Sequence, residues 1–310
     1  MSILRVNFGR LVDEAMSQPG RAGIRPVIEK ELLHYDILFA LDRRGFLKDL
    51  VFQGGTCLRL CYGSHRFSED LDFATSANFD FTKLEEMAKE LKSYLGDRYG
   101  LEVDVKPPKG KTPEQLQGNI LIDKWQVSVT TSPERRDMPR QKIKIEVATV
   151  PAHEPQLTQL KRNYDFLPSG YEDLLIRAET PTEILADKLV AFPVTLASHV
   201  RHRDIWDIQW LRQTQGAKIR PDLVARKIDD YGVTDYGDKL TETLERLDEV
   251  ILGADFRAEM TRFLPQDRVD ATFNKDGFLP FLSSELRQAF TDLGTKMNLL
   301  DKPSTPSFEM

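Results

Sequence analysis

The spacing of hydrophobic residues predicts helices near both ends of the chain and strands between them. Apolar residues recur at helical spacing from Ile28 to Ile37, behind Pro26, and this pattern predicts a helix over 26–44. Three later segments alternate between apolar and polar residues with the period of two that is typical of strands: 101–105, 119–130 and 142–148.

Two capping boxes mark the start of further helices. Thr82-Lys-Leu-Glu85 predicts a helix that ends near Tyr99, and Thr180-Pro-Thr-Glu183 opens a region that stays mostly helical almost to the end of the chain. Because helices dominate only after the second box, we expect an α+β N-terminal half followed by a mostly helical C-terminal half.

Polar and proline-containing stretches predict where the elements are connected. The pair Asp123-Lys124 predicts a hairpin turn inside the second alternating segment, and the prolines of 151–173 predict a connector. We therefore expect three parts: an α+β domain over 1–160, a helical domain over 161–300 and a flexible tail over 301–310.

The composition is that of a globular protein with enough apolar residues for a core. Of 310 residues, 40% are hydrophobic and 30% are charged, and the formal net charge of -6 argues against a polycation that coats nucleic acid. No apolar run approaches the ~18 residues that span a bilayer. Two cysteines are too few for a disulfide framework. These features predict a cytoplasmic protein with no membrane partner.

The most informative stretch runs from Phe52 to Phe73 and begins with a double glycine. Gly54 and Gly55 allow a sharp turn and a close approach of the backbone to another group, and Thr56 then opens a helix. A glycine-rich turn that leads into a helix directs free backbone N–H groups outward, which favours phosphate binding. The turn therefore predicts an anion site.

Two carboxylates follow on the next predicted strand. Asp70 and Asp72 point to one face of this strand, while Leu71 and Phe73 point to the other. Carboxylates about 7 Å apart on one face form a hard oxygen clamp for Mg²⁺ or Mn²⁺. Two such metals can bracket an in-line phosphoryl displacement. Turn, helix and acidic strand, in this order, indicate phosphate chemistry.

The order of these elements resembles the DNA polymerase β-like nucleotidyltransferases. The full string FQGGTCLRLCYGSHRFSEDLDF resembles the AbiEii-type branch, the nucleotidyltransferase toxins of type IV abortive-infection systems and their MenT-like relatives. The likeness is close over 51–73 and looser over 26–210. It implies a nucleotidyltransferase-like mixed β-sheet core with flanking helices, a Mg²⁺ or Mn²⁺ cofactor held by the two aspartates, and an NTP as co-substrate cradled by the glycine turn.

Residues around this string have roles that the sequence leaves open. Arg59 and Arg66 either contact phosphate or pair with Glu69 or Asp70. Ser68 lies on the strand face of the aspartates, where it binds a phosphate or orders the carboxylates.

The resemblance also implies a third carboxylate on a later strand. Glu146 is our first candidate, because it lies on the strand face opposite to the apolar Ile145 and Val147. It would complete the metal cluster or act as the base that activates the acceptor hydroxyl. Glu102 and Asp104 on the earlier strand are rivals.

A lysine and a later aspartate pair complete the set of candidate residues. Lys188 lies in an apolar helical stripe, so its ammonium requires an anionic partner, which by resemblance is the triphosphate. Asp204 and Asp207 are one helical turn apart and would position Lys188, Arg203 or the nucleotide.

The resemblance implies transfer of a nucleotide from an NTP to RNA, with a tRNA 3′ end as the expected acceptor. Such a modification would halt translation, and a separately encoded antitoxin would be the protein partner. Two alternatives stay open at this point. One is nucleotidyl transfer to a protein or a small molecule, and the other is a nucleotide-binding module without turnover.

Overall fold

A computed structural model describes most of the chain. It covers residues 5–76, 83–106, 116–117, 120–134, 139–167, 170–171 and 173–300. Thr82 of the first capping box and the predicted tail at 301–310 lie outside the described residues. The chain divides into two compact units: Met1–Ile184 with Met260–Asn274, and Leu185–Glu259 with Lys275–Met310.

The first unit contains a β-sheet with helices around it. Its helices are α1 (Phe8–Met16), α2 (Arg25–Arg43), α3 (Gly54–Leu60), α4 (Lys83–Tyr99) and α10 (Gln266–Ala271). Its strands are β1 (Leu50–Gln53), β2 (Leu71–Thr75), β3 (Val103–Lys106), β4 (Leu116–Gln117), β5 (Ile120–Val129), β6 (Gln141–Thr149), β7 (Pro155–Gln159) and β8 (Leu175–Glu179). The predicted helices over 26–44 and up to Tyr99 are confirmed, as are the strands at 101–105 and 142–148.

The sheet is mixed and places β2 in its centre. Its described strands follow the order β3-β5-β6-β2-β1-β8-β7, and β4 pairs with β5 beside this path. Strand β2 runs parallel to β6 and antiparallel to β1, and β1 runs parallel to β8. Phe52, Phe73 and Ile145 are buried on adjacent strands, so the acidic strand lies on the hydrophobic core. The predicted α+β class with a mixed sheet is confirmed.

Two predicted connections are wrong. The hairpin at Asp123-Lys124 does not form, because β5 runs unbroken through this pair and both residues keep partners on β6. The connector at 151–173 contains β7, which pairs with β8. Pro155 is tolerated there because it is the first residue of an edge strand, where a missing N–H is harmless.

The division of the chain also lies later than residue 160. Strand β8 pairs with both β1 and β7, so it belongs to the sheet, and the first unit extends to Ile184. The predicted start of a helix at Thr180 is confirmed, because the Thr180 hydroxyl accepts a hydrogen bond from the Glu183 backbone at 3.2 Å.

The second unit is helical in its described part. Helix α5 (Pro181–Thr195) begins at the end of the first unit, and α6 to α9 and α11 follow: α6 (His202–Gln213), α7 (Pro221–Asp230), α8 (Tyr236–Leu252), α9 (Ala254–Thr261) and α11 (Phe278–Lys296). None of the helices built from described residues combines the length and apolar character that crossing a membrane requires.

Candidate active site

The junction of β1 and α3, at Gly54, packs directly against the acidic strand. Gly54 has φ +75°, and a Cβ on this residue would lie 2.6 Å from Oδ2 of Asp72. An L-residue is disfavoured here twice, by the left-handed backbone and by the carboxylate. The first glycine of the predicted cradle is therefore required for the approach of β2.

The second glycine makes room for a buried arginine. A Cβ on Gly55 would overlap the Arg66 guanidinium and lie 2.9 Å from the Ser68 hydroxyl oxygen. Arg66 is buried, and its Nη1 donates a hydrogen bond to the Phe67 carbonyl at 2.8 Å. The structure thus brings Gly55, Arg66 and Ser68 together and places a fixed positive charge at the turn.

Thr56 and Arg59 hold α3 to its neighbours. The buried Thr56 hydroxyl donates a hydrogen bond to the backbone carbonyl of Asp70. Arg59 forms an ion pair with the buried Glu31 on α2, with Nε 2.7 Å from Oε2. Of the alternatives left open above, the structure therefore pairs Arg59 with Glu31 rather than with Asp70 or Glu69.

The carboxylates of β2 and β6 lie side by side on one face of the sheet. Asp72 is the register partner of Glu146 on β6 and of Gln53 on β1. Glu146 is in turn the partner of Lys124 on β5. Because register partners project to the same face, Gln53, Asp72, Glu146 and Lys124 form one row across four strands.

Asp70 lies two residues before Asp72, directly before the start of β2. Its Oδ1 accepts a hydrogen bond from the Lys144 backbone N–H at 3.0 Å, and its Oδ2 lies 3.5 Å from the Lys144 ammonium. Lys124 makes the equivalent contact on the other carboxylate, with Nζ 3.2 Å from Oε1 of Glu146. Two lysines therefore contact the acidic face.

The rival carboxylates lie away from this row. Asp104 is on β3, three strands from β2 in the sheet order and therefore roughly 14 Å away. Glu102 precedes β3 and forms an ion pair with Arg140 at 2.6 Å. Among the three candidates, only Glu146 lies on a strand adjacent to Asp72.

The remaining predicted residues form a cluster within the second unit. Nζ of Lys188 lies 2.6 Å from Oδ1 of Asp204 and 2.8 Å from Oδ2 of Asp207, and all three residues are buried. Arg201 adds a contact of 2.5 Å to Asp204. Burial alone would raise the pKa of Asp204, but the positive charges of Arg201 and Lys188 outweigh it and hold that pKa below its ordinary value.

Of the two side chains proposed as partners of the aspartate pair, Lys188 contacts both aspartates. Arg203 lies farther out on α6, and its Nε is 3.7 Å from Glu259. The prediction that Lys188 requires anionic partners is confirmed, and within the described residues Asp204 and Asp207 provide them.

Comparison with known proteins identifies the family of this chain. A family model for the nucleotidyl transferase AbiEii toxin of type IV toxin–antitoxin systems matches residues 36–276. The chain belongs to the AbiEii family. It is therefore a nucleotidyltransferase of a toxin family, and the type IV system implies an antitoxin as its partner. No curated protein matches this chain in sequence.

Two solved structures share the fold at low sequence identity. MenT4, a nucleotidyltransferase toxin of Mycobacterium tuberculosis H37Rv, is 16% identical with a TM-score of 0.51, over 94% of this chain and 99% of that chain. A candidate nucleotidyltransferase from H. pylori is 19% identical with a TM-score of 0.50, over 89% of this chain and 98% of that chain. Both support the mixed-sheet nucleotidyltransferase fold.

The candidate site contains three residues that the sequence analysis did not propose as functional: Gln53, Lys124 and Lys144. The alternating pattern of β6 does place Lys144 on the face of Glu146, and this was the one available signal. Its contact with Asp70, however, depends on the parallel pairing of β2 with β6. Neither that pairing nor the neighbours of Gln53 and Lys124 can be derived from local spacing.

Proposed function

We propose that this AbiEii enzyme transfers a nucleotide from an NTP to RNA in a Mg²⁺-dependent reaction, with a tRNA 3′ end as the acceptor. The observation that carries the proposal is the register of Asp72 with Glu146, beside a glycine turn packed against Asp72. A tRNA with a blocked 3′ end cannot carry an amino acid, so the reaction would stop translation and growth.

The carboxylates on this face fit a hard divalent cation. Asp70, Asp72 and Glu146 offer oxygen ligands, the kind that Mg²⁺ and Mn²⁺ prefer, and all three are partly exposed. In the described residues no three such side chains converge into a closed metal cage. We therefore propose Asp70 and Asp72 as the principal ligands, because Mg²⁺ keeps several waters and needs only one or two carboxylates. When bound, the metal would polarise the α-phosphate and neutralise charge on the leaving pyrophosphate.

The reaction requires positioning more than covalent chemistry from the protein. The acceptor hydroxyl oxygen attacks the α-phosphorus, the bond between that phosphorus and the bridging oxygen breaks, and pyrophosphate leaves. The turn at Gly54 and Gly55, with Arg66 and Ser68, would orient the triphosphate. Glu146 would complete the metal site or accept the proton of the acceptor hydroxyl. Thr56 would position Asp70 through the hydrogen bond to its carbonyl.

The role of Lys188 at the triphosphate stays a prediction from the family resemblance. Its ammonium already contacts two buried carboxylates. We propose that its first role is to hold Asp204 and Asp207 together.

The test combines purified protein, Mg²⁺, each α-labelled NTP in turn and total tRNA, with Asp72→Asn alongside. We expect label on RNA with wild-type protein only, and growth arrest on expression of wild type only. Glu146→Gln and Asp104→Asn form a matched pair for the third carboxylate, and only the first should lower transfer. The two variants remove one negative charge each from different strands of the same sheet.

Other outcomes would select the alternatives. Label on a protein or a small molecule instead of RNA would replace the acceptor and keep the enzyme class. NTP binding without transfer to any acceptor would favour the binding module. Growth arrest by Asp72→Asn that equals wild type would contradict the catalytic role of the acidic strand.

A further inference from the structure

The acidic face is contacted by two lysines that come from neighbouring strands. Lys144 on β6 lies 3.5 Å from Asp70, and Lys124 on β5 lies 3.2 Å from Glu146. Both lysines are about half exposed, with side-chain exposures of 55% and 45%. Ion pairs this open contribute little net stability, because water and salt screen them. Each ammonium can therefore leave its carboxylate at small cost.

We propose that Lys144 and Lys124 are internal counter-ions that keep the carboxylates neutralised until nucleotide and metal arrive together. This inference rests on the proposed metal-dependent function. A divalent cation and a lysine ammonium compete for the same carboxylate oxygens on Asp70 and Glu146. The cation alone must displace the ammonium groups and then lies beside two positive charges that have lost their partners.

A triphosphate changes this balance. Its negative charges give the displaced ammonium groups of Lys144 and Lys124 new partners on the same sheet face. The metal and the triphosphate should therefore bind with positive cooperativity, and each should strengthen the binding of the other by the same factor. The lysines also relieve the repulsion between Asp72 and Glu146, which are directly opposed like charges.

The backbone makes Lys144 a clean site for mutation. Asp70 is held by the Lys144 backbone N–H at 3.0 Å as well as by its ammonium. Replacement of the side chain leaves the backbone N–H in place, so Lys144→Met removes the charge without releasing the Asp70 carboxylate. Lys142 lies two residues earlier on the same face and is exposed, so Lys142→Met is the matched control for loss of one positive charge.

The experiment measures Mn²⁺ binding to the full chain by electron paramagnetic resonance, without nucleotide and then with inorganic tripolyphosphate. Without tripolyphosphate, we expect Lys144→Met and Lys124→Met to bind Mn²⁺ about fivefold more tightly than wild type, since a nearby positive charge has gone. With tripolyphosphate, we expect wild type to bind Mn²⁺ more tightly than Lys144→Met and Lys124→Met. Lys142→Met should follow wild type in both conditions.

The outcomes separate this inference from the proposed function. If Asp72→Asn loses Mn²⁺ binding while Lys144→Met and Lys124→Met bind the metal alone no more tightly than wild type, the counter-ion role is wrong and the metal site stands. If Lys142→Met binds Mn²⁺ as tightly as Lys144→Met, the effect comes from general surface charge, and the inference is overturned. If neither wild type nor any lysine variant binds Mn²⁺, even with tripolyphosphate, the proposed metal dependence is wrong, and the counter-ion role is wrong with it.

Discussion

Gly54, the first residue of α3, packs against Asp72, and this contact joins the double glycine to the acidic strand. A Cβ on Gly54 would lie 2.6 Å from the Asp72 carboxylate oxygen. The two halves of the motif, eighteen positions apart along the chain, are therefore one packed structure. A change at the glycine must move the carboxylate.

Gly54→Ala should reduce transfer strongly while the protein stays folded. The left-handed φ of +75° costs an alanine about 1 kcal/mol, and the Cβ displaces Asp72 as well. Misplacement of a reacting group by about 1 Å can cost on the order of a hundredfold in rate. We expect a loss of that size in steady-state transfer, with only a modest fall in Tm by thermal unfolding.

Gly23→Ala provides the matched control. Gly23 has a similar φ of +85°, but a Cβ there would have no heavy atom within 4 Å. It should therefore lose similar stability and keep full transfer activity. Equal loss of transfer in both variants would show that backbone strain, and not the contact with Asp72, explains the result at Gly54.

Lys188→Met should destabilise the second unit. The substitution leaves Asp204 and Asp207 buried without their shared ammonium. Loss of one partner from a buried ion pair typically costs about 3–5 kcal/mol. We expect a fall of this size in the free energy of unfolding at pH 7, measured with urea. A role confined to the triphosphate would instead raise KM and leave stability unchanged.

The pH dependence of the same variant gives a second readout. In wild type the pKa of Asp204 is lower in the folded protein than in the unfolded chain. Its contribution to the free energy of unfolding is therefore fully present above about pH 4 and is lost as pH falls through the folded pKa. In Lys188→Met, Asp204 keeps Arg201 but loses the ammonium, so its folded pKa should rise toward the ordinary value. The variant should therefore lose less stability than wild type as pH falls below about 4. Arg203→Met, at a more exposed pair on the same helix, should change stability by less than about 0.5 kcal/mol.

The sequence predicts elements whose signals are local. The alternation through Glu146 and the capping box at Thr180 appear in the structure as expected, and the helix after the double glycine forms but begins at Gly54, two residues before the predicted start at Thr56. The i, i+3 spacing of Asp204 and Asp207 was also sufficient to place both on one helix face. Each of these features is fixed by backbone geometry within a few residues.

The failures have a common physical cause, since each depends on pairing between distant strands. At Asp123-Lys124 two polar residues suggested a turn, but their register with Val147 and Glu146 keeps them inside β5. Pro155 predicts a connector, but it begins the edge strand β7, where a missing backbone N–H is tolerated.

His34 connects α2 to the acidic segment and should make stability depend on pH. It is buried, and its Nε2 lies 2.9 Å from the backbone carbonyl of Glu69, the residue before Asp70. Burial lowers the pKa of His34 to about 4, against an ordinary value of 6.5. The imidazole is therefore neutral in the folded protein near neutral pH.

His34→Gln should flatten this dependence. Above pH 6.5 the histidine is neutral in both states and has no effect. Between pH 6.5 and about 4 the unfolded chain binds a proton that the folded chain excludes, so wild type loses stability by about 1.4 kcal/mol per pH unit. Between pH 7.5 and 5.0, we expect the free energy of unfolding, measured with urea, to fall by about 2 kcal/mol more in wild type than in His34→Gln. Glutamine is chosen because its amide can still donate to the Glu69 carbonyl. The exposed His199→Gln should follow wild type, and parallel profiles for wild type and His34→Gln would show that burial does not keep His34 neutral.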